Sequence, residues 1–250
     1  MAIDLAGSTA LVTGSTSGIG AAIATMLAAQ GARVLVCGRD HSRGDAVVSE
    51  IRRGGGLSDF IFADLSGGAA SAKDLASRAR ELAGRTIDIL VNNAAIGVMA
   101  PSSEFPEEGF HSLIATNLEA PFYLVAELAP FMAAQGHGAI VNISSMAGQF
   151  ALPGMSVYGA TKAALLLLTK SWAAEFGPHG VRVNAVVPGP TRTSGSAELG
   201  DALDALAAQA PAQRVADPRE IAATVAFLAS ASASFIHGAA LSVDGGRTAV

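Results

Sequence analysis

Short apolar runs alternate along the chain with longer segments rich in alanine and leucine. The short runs are typical of strands, and the longer segments are typical of helices. The pattern predicts strands at residues 9–13, 33–37, 59–63, 87–92, 139–144, 182–187 and 240–243. It predicts helices at residues 19–30, 43–53, 69–83, 106–134, 155–176 and 218–229, and a short helix or mobile loop at residues 197–211.

Most of these strands contain few polar residues, as expected of strands covered by helices on both faces. Alternating strands and helices are typical of a doubly wound parallel sheet. Because no linker rich in proline, glycine or serine divides the chain, the sequence predicts one α/β Rossmann-type domain, residues 1–250, with about seven strands. Ligands of such sheets bind beyond the carboxyl ends of the strands, where the strand order reverses.

Composition narrows the class of protein. A formal net charge of −5 argues against nucleic acid or an anionic membrane as the main partner. The densest apolar stretch, residues 163–168, is far shorter than the ~20 residues of a membrane-spanning helix, and the N-terminus lacks a secretion-signal pattern. The single cysteine, Cys37, fits a reducing compartment and is expected to be a core residue. A cytoplasmic globular enzyme fits these features, as would many other proteins.

A glycine-rich loop joins the first predicted strand to the first helix. Gly14 would permit a tight turn, Gly18 a close approach of the backbone to a pyrophosphate, and Gly20 close packing of helix against strand. The helix N-terminus would offer free N–H groups to phosphates. The expected dinucleotide contacts of this loop are Gly14, Ser15, Thr16, Ser17, Gly18, Ile19 and Gly20.

The loop Thr13-Gly14-x-x-x-Gly18-Ile19-Gly20 resembles that of the short-chain dehydrogenase/reductase family, and further motifs follow in the family's order over nearly the whole chain. These motifs are Asp64, Asn92-Asn93-Ala94-Ala95, Asn117, Ser144-Ser145, Tyr158-x-x-x-Lys162, Pro188-Gly189 and Asp244-Gly245-Gly246. The resemblance implies an oxidoreductase that moves hydride between a nicotinamide and a ketone or alcohol.

Tyr158 and Lys162 are the expected core of the catalytic site. Four residues apart, they would share one face of a helix. A nearby ammonium group favours the phenolate and would lower the tyrosine pKa from its usual value of about 10. Such pairs also occur by chance. The resemblance adds Ser145 as the hydrogen-bond donor to the substrate oxygen and Asn117 as the holder of a proton-relay water. The alternative for Asn117 is a side chain bonded to its own backbone or to a neighbouring residue.

The residues after the second strand bear on the choice of cofactor. Arg39 resembles the basic residue of NADP-preferring members, and Gly38 stands where NAD-preferring members carry an acid. Asp40 is expected to cap the next helix. We therefore expect NADP, with NAD as the alternative if Arg39 is only a solvated loop charge. Arg43 is a weaker candidate for assisting Arg39 in binding NADP.

The resemblance implies further cofactor contacts along the strand ends. These are Asp64, Leu65, Asn92, Ala94, Tyr158, Lys162, Pro188, Gly189, Thr191 and Thr193. Thr191 departs from the aliphatic residue usual there. The scattered histidines suggest no metal site.

Substrate specificity is expected to come from the loop 191–214 and from residues 147–155. Gln149, Phe150, Leu152 and Met155 suggest a partly apolar wall, and an apolar or medium-sized ketone or alcohol is expected; β-ketoacyl thioesters are an alternative. The resemblance implies a homotetramer or homodimer formed by the C-terminal segment and the long helices. Lyase or epimerase chemistry, or a non-catalytic cofactor-binding scaffold, remains open because fold does not decide function.

Overall fold

The computed structural model describes residues 3–250, apart from the side chain of Glu198, and these residues contain seven strands in one parallel sheet. The strands are β1 (Thr9–Val12), β2 (Arg33–Gly38), β3 (Leu57–Phe62), β4 (Ile89–Asn92), β5 (Gly138–Ile143), β6 (Val181–Pro188) and β7 (Ala240–Val243). Their order is β3-β2-β1-β4-β5-β6-β7. The order reverses between β1 and β4, and the predicted α/β class is confirmed.

Eight α-helices connect the strands within the described residues. They are α1 (Gly18–Ala29), α2 (His41–Arg53), α3 (Ala69–Ala83), α4 (Glu107–Ile114), α5 (Ala120–Gln135), α6 (Ser156–Phe176), α7 (Asp201–Ala207) and α8 (Pro218–Ala229). None of these described helices combines the length and apolarity needed to cross a membrane.

Helices cover both faces of the sheet. Successive side chains of a strand point to opposite faces, so each strand contributes to two cores. Val12 of β1 packs in a core with α1, α2 and α8, whereas its neighbour Leu11 packs in a second core with α3, α5 and α6. Cys37 lies in this second core, as expected. The exception is the edge strand β7, where Ala240, Leu241 and Ser242 are exposed.

The predicted helix at residues 106–134 is interrupted. A π-helical turn, Ala115–Glu119, separates α4 from α5. Such a turn inserts one residue into the helical repeat, and π-turns occur frequently at functional sites. The apolar spacing on either side gives no signal for it. Elsewhere the predicted boundaries shift by one or two residues; for example, β3 begins at Leu57 because Leu57 already pairs with Arg33 of β2.

The segment between β6 and α8 forms a folded loop. It contains a 3₁₀ helix, Ser194–Leu199, and the short helix α7, which agrees with the short-helix interpretation of residues 197–211. A β-bridge between Thr191 and Ala216 closes the loop at its base. The Thr193 side chain caps the 3₁₀ helix by accepting from the backbone N–H of Ser196 at 3.0 Å.

Candidate active site

The glycine-rich loop lies at the reversal of strand order. Gly14 has a φ of +62°, which L side chains rarely adopt. A Cβ on Gly20 would collide with the carbonyl oxygen of Gly14 and would lie 2.5 Å from Nδ2 of Asn93. Ser17, the N-cap of α1, makes no side-chain capping bond, and the first turn holds no acid. The helix therefore presents unfilled N–H donors that suit a pyrophosphate.

Asn93 holds this loop against the end of β4. Its amide nitrogen donates to the carbonyl oxygens of Thr13 at 2.8 Å and Gly14 at 3.1 Å. The Thr13 hydroxyl in turn accepts from the backbone N–H groups of Asn93 and Ala94, both at 3.0 Å. These bonds fix the crevice between β1 and β4, the place where ligands of such sheets bind. In the sequence, Asn93 stands out only as part of the motif Asn92-Asn93-Ala94-Ala95 and not as an individual site residue.

Two residues expected to contact the cofactor are turned into the protein instead. Ser15 is fully buried: its hydroxyl donates to the Val12 carbonyl at 2.6 Å and accepts from the Cys37 N–H at 2.9 Å. Asn92 is buried and donates to Oδ1 of Asn142 at 2.8 Å. Neither lines the cavities described below. For Asn92 the reason is the alternation of side chains along β4.

One cavity of about 380 Å³, the Arg39 cavity, opens beside the glycine-rich loop. Its lining includes Gly14, Thr16, Ser17, Arg39, Asp64, Leu65, Asn93 and Ala94. Among the described residues, Arg39 has no salt-bridge partner, whereas Arg43 pairs with Asp40 at 2.7 Å. Asp40 caps α2 by accepting from the Arg43 N–H at 2.9 Å, as expected. Arg39 is therefore the guanidinium group of this cavity that is free to meet an anion.

Asp64 is a carboxylate that lines this cavity. A hydrogen bond from the Ser66 N–H, together with the nearby Arg39 charge, lowers the pKa of Asp64. The carboxylate accepts from Ser66 at 3.0 Å. Because the Asp64 side chain is exposed, it remains accessible to a ligand in the cavity.

A second cavity of about 640 Å³, the Tyr158 cavity, adjoins the first across Ser17, Asn93, Ala95, Ile96 and Gly195. Its lining brings together residues from the glycine-rich loop, from the ends of β5 and β6, and from α6. The predicted residues among them are Ser17, Gly18, Ile19, Gly20, Ser145, Tyr158, Lys162, Pro188, Gly189, Thr191 and Thr193. The two cavities together form one groove along the carboxyl edge of the sheet.

Lys162 is the buried amine of this second cavity. It is 3% exposed, and its Nζ donates to the Ile143 carbonyl at 2.9 Å. Burial lowers the pKa of Lys162 to about 8. Nζ lies 5.7 Å from the centre of the Tyr158 ring. Ser144 donates its hydroxyl to the Lys162 carbonyl at 2.9 Å, which makes Ser144 structural.

Tyr158 faces Ser145, which begins the turn after β5. Burial raises the pKa of Tyr158, and a hydrogen bond from Ser145 lowers it in part. This differs from the expected lowering by Lys162. The lysine amine is directed to the Ile143 carbonyl, and burial opposes a charged phenolate. In the structure Tyr158 is therefore a protonated phenol, which suits a proton donor.

Asn117 lies in the π-helical turn and does not line either cavity. Its Oδ1 accepts from the Ile96 N–H at 2.9 Å, and its Nδ2 donates to the Ile96 carbonyl at 2.9 Å. The side chain thus bonds backbone that is 21 residues away in sequence, and not the local backbone that was the alternative to a catalytic role. It holds the loop that carries Ile96, while its part in proton relay stays a prediction.

The residues expected to form the substrate wall do not lie together in one cavity. Of its four predicted residues, Met155 lines the Tyr158 cavity, whereas Gln149 and Phe150 lie at a separate surface depression near the C-terminus. There the Phe150 ring lies 4.7 Å from the guanidinium carbon of Arg247. The structure supplies other apolar lining residues, Met99, Met146, Leu199 and Leu203, which the sequence analysis did not single out.

Comparison with known proteins identifies the family. A family model described as enoyl-(acyl carrier protein) reductase matches residues 14–248. A solved structure described as a short-chain dehydrogenase/reductase family protein is 49% identical, covers 100% of both chains and has a TM-score of 0.90. The chain belongs to the short-chain dehydrogenase/reductase family. It is accordingly an oxidoreductase acting on alcohol and carbonyl groups with a nicotinamide cofactor.

Other members of the family are similar over the full chain. A Thermotoga maritima protein named as an uncharacterized oxidoreductase is 38% identical over 99% of this chain and 100% of its own. A Beutenbergia cavernae structure is described as a candidate NAD(P)-dependent gluconate 5-dehydrogenase with bound NADP at low occupancy. It is 39% identical, covers 100% of both chains and has a TM-score of 0.94.

Gly20 offers a direct test of the loop's packing. Gly20→Ala should lower the free energy of unfolding by about 1–3 kcal/mol. The added Cβ would collide with the backbone of Gly14 and with the hydrogen-bonded side-chain amide of Asn93. Urea unfolding would measure the change. Gly54→Ala is the control, since a Cβ there lies no closer than 3.4 Å to its neighbours and Gly54 has a negative φ. Equal unfolding midpoints for Gly20→Ala and the parent would contradict the packing account.

Proposed function

We propose that the protein is an NADP-dependent carbonyl reductase or alcohol dehydrogenase, with Tyr158 as general acid and base. The observation that carries this proposal is the position of Tyr158, Ser145 and Lys162 on one cavity that continues into the glycine-rich loop and Arg39. A dinucleotide would thereby have its phosphates at the loop and its reactive end beside the phenol.

The residues of the groove fit that cofactor. The start of α1 would hold the pyrophosphate, and Asp64 and Leu65 would flank the adenine. Arg39, which is exposed and unpaired among the described residues, would meet the ribose 2′-phosphate. Pro188, Gly189 and Thr193 would hold the nicotinamide amide. NAD is the alternative cofactor, with Arg39 then left in solvent.

When bound, the cofactor supplies hydride at its nicotinamide C4. The chain supplies the proton: the Tyr158 hydroxyl donates it to the substrate oxygen while the Ser145 hydroxyl donates a hydrogen bond to the same oxygen. Because burial raises the pKa of Tyr158, the side chain is a phenol and carries the proton that it donates. Oxidation of an alcohol follows the same path in reverse.

Lys162 stabilises the phenolate that Tyr158 becomes. Since its pKa is about 8, the amine is mostly protonated at pH 7 and carries the positive charge that a phenolate requires. With this pKa, the Lys162 ammonium group can also return a proton to the Tyr158 phenolate. Asn117 positions the loop that contains Ile96.

The assay follows the absorbance of reduced nicotinamide while the purified protein acts on ketones and aldehydes, with NADPH and NADH in separate reactions. Turnover with NADPH supports the proposal. If neither nucleotide binds, the proposal fails; if a nucleotide binds and no carbonyl compound is reduced, a non-catalytic cofactor-binding scaffold replaces it.

Arg39→Ala tests the cofactor assignment. It should lower kcat/KM for NADPH by about 10–100-fold, because a charge-assisted bond to the 2′-phosphate is lost. The value for NADH should stay unchanged. Arg43→Ala is the matched control, since Arg43 is already paired with Asp40. An equal loss with NADH, or a larger loss in Arg43→Ala, would contradict the role of Arg39.

The proposal extends to the organisation of the protein. Residues 1–250 form one dinucleotide-binding and catalytic domain, of which residues 1 and 2 lie outside the described part of the chain, and the loop 191–214 binds substrate within it. By family resemblance the protein is a cytoplasmic homotetramer or homodimer. Light scattering of the purified protein would give its oligomeric state.

A further inference from the structure

The polar groups that the loop after β6 contributes to the Tyr158 cavity are already hydrogen-bonded to the protein. The Thr191 hydroxyl donates to the Gly189 carbonyl at 2.9 Å. The Ser196 hydroxyl donates to the Thr191 carbonyl at 2.9 Å and accepts from the Thr193 N–H at 2.8 Å. The Thr193 hydroxyl is engaged with Ser196 as well, and it would have to leave Ser196 to bond the nicotinamide amide. A substrate with many hydroxyl groups would therefore find few free partners on this wall.

The cavity also lacks a free cation for an acidic substrate. Among the described residues that line it, Lys162 is the single basic one, and its amine is buried and bonded to Ile143. Arg192, in the neighbouring loop, does not line the cavity and pairs with Asp204 at 2.7 Å. A carboxylate entering here would lose its hydration without gaining a partner.

The apolar lining, by contrast, is left uncovered. Met99, from the loop after β4, is 62% exposed, and Leu199, from the 3₁₀ helix 194–199, is 43% exposed. Both line the Tyr158 cavity, together with Met155 and Leu203. Apolar side chains exposed at a cavity give an apolar ligand a surface that it can cover. Methionine side chains adapt to irregular apolar shapes.

We propose that the protein acts on uncharged ketones or secondary alcohols with an apolar alicyclic or alkyl skeleton, and that Met99 and Leu199 determine this specificity by covering that skeleton. The reacting oxygen is the one polar group that the site receives, at Ser145 and Tyr158. This inference rests on the proposed function. It separates the protein from dehydrogenases of sugar acids, whose substrates carry a carboxylate and several hydroxyl groups.

The first test compares three probes with NADPH: 2-decalone, 5-keto-D-gluconate and the acetoacetyl thioester of N-acetylcysteamine. We expect kcat/KM for 2-decalone to exceed that for the keto acid by about 100-fold or more, because a site rejects polar groups that it cannot pair. A preference for the keto acid or for the thioester would overturn the inference, as would the absence of 2-decalone reduction by protein that binds NADPH.

The second test uses variants of the two exposed side chains. Met99→Ala and Leu199→Ala should each raise KM for 2-decalone about 10-fold with a smaller change in kcat, since each removes apolar contact with substrate. The dissociation constant of NADPH, measured by fluorescence, should not change. Leu57→Ala is the control, because Leu57 is 65% exposed on β3 and does not line the cavity. Unchanged KM values in both cavity variants would overturn the assignment.

Different results would overturn the specificity inference and the proposed function on which it rests. If the keto acid is the better substrate and Arg192→Ala abolishes its reduction, then Arg192 leaves Asp204 to bind a carboxylate; the oxidoreductase proposal then stands and the specificity inference falls. If reduction of the probes does not depend on Tyr158, the proposed function itself fails.

Discussion

Replacing Tyr158 with phenylalanine is expected to lower kcat for ketone reduction by about 10²–10⁴-fold, the contribution typical of a positioned general acid. Phenylalanine keeps the ring and removes the hydroxyl that donates the proton. Tyr158 is partly buried and lines the cavity together with Ser145, where no other tyrosine is present to donate in its place. The measurement is steady-state reduction with NADPH, alongside a titration of NADPH binding, which should remain close to that of the parent protein.

The chain provides a matched control for this variant. Tyr123 is its second tyrosine and lies in α5, where its ring is 5.2 Å from the Lys73 amine and outside both cavities. Tyr123→Phe should retain the parental kcat. Parental turnover in Tyr158→Phe would show that another group supplies the proton, and would remove the proposed mechanism while leaving the family assignment intact.

The parts of the site that the sequence predicted are those set by short spacings. Gly14, Gly18 and Gly20 follow one strand directly, so their positions at the start of α1 follow from the chain alone. Tyr158 and Lys162 share a helix face because they are four residues apart. Each of these residues lines one of the two cavities.

The parts that it did not predict depend on contacts between distant segments. Asn92 and Asn93 are adjacent, but Asn92 turns toward Asn142 of the next strand, and Asn93 turns toward the loop after β1. Choosing between them requires knowing on which face of the sheet the crevice opens. Met99 and Leu199 come from separate loops, and no periodic pattern indicates that they line the same cavity.

The electrostatics of the site also lay beyond sequence reasoning. Spacing alone suggests that Lys162 lowers the pKa of Tyr158. The structure shows instead that burial dominates for both groups, raising the pKa of Tyr158 and lowering that of Lys162. Burial is a property of the folded core, and it comes here from the packing of α6 against β5 and β6.

The burial of Lys162 is expected to lower the free energy of unfolding of the protein. The pKa of Lys162 is about 8 in the folded protein against 10.5 for an unburied lysine. Between these values the unfolded chain binds the proton and the folded chain does not, so the free energy of unfolding rises with pH. Below about pH 8 the folded protein carries the full penalty, of about 3 kcal/mol.

Lys162→Met should therefore be inactive yet more stable than the parent at pH 7. We expect a gain of about 2 kcal/mol, because removal of the buried charge outweighs loss of the bond to the Ile143 carbonyl, worth about 1 kcal/mol. Urea unfolding at fixed protein concentration, at pH 7 and pH 9.5, would measure the gain and its decrease with pH. Lys170→Met, on the exposed side of the same helix, should change stability by less than about 0.5 kcal/mol. A Lys162→Met protein less stable than its parent at pH 7 would mean that the amine contributes more through its hydrogen bond than its burial costs.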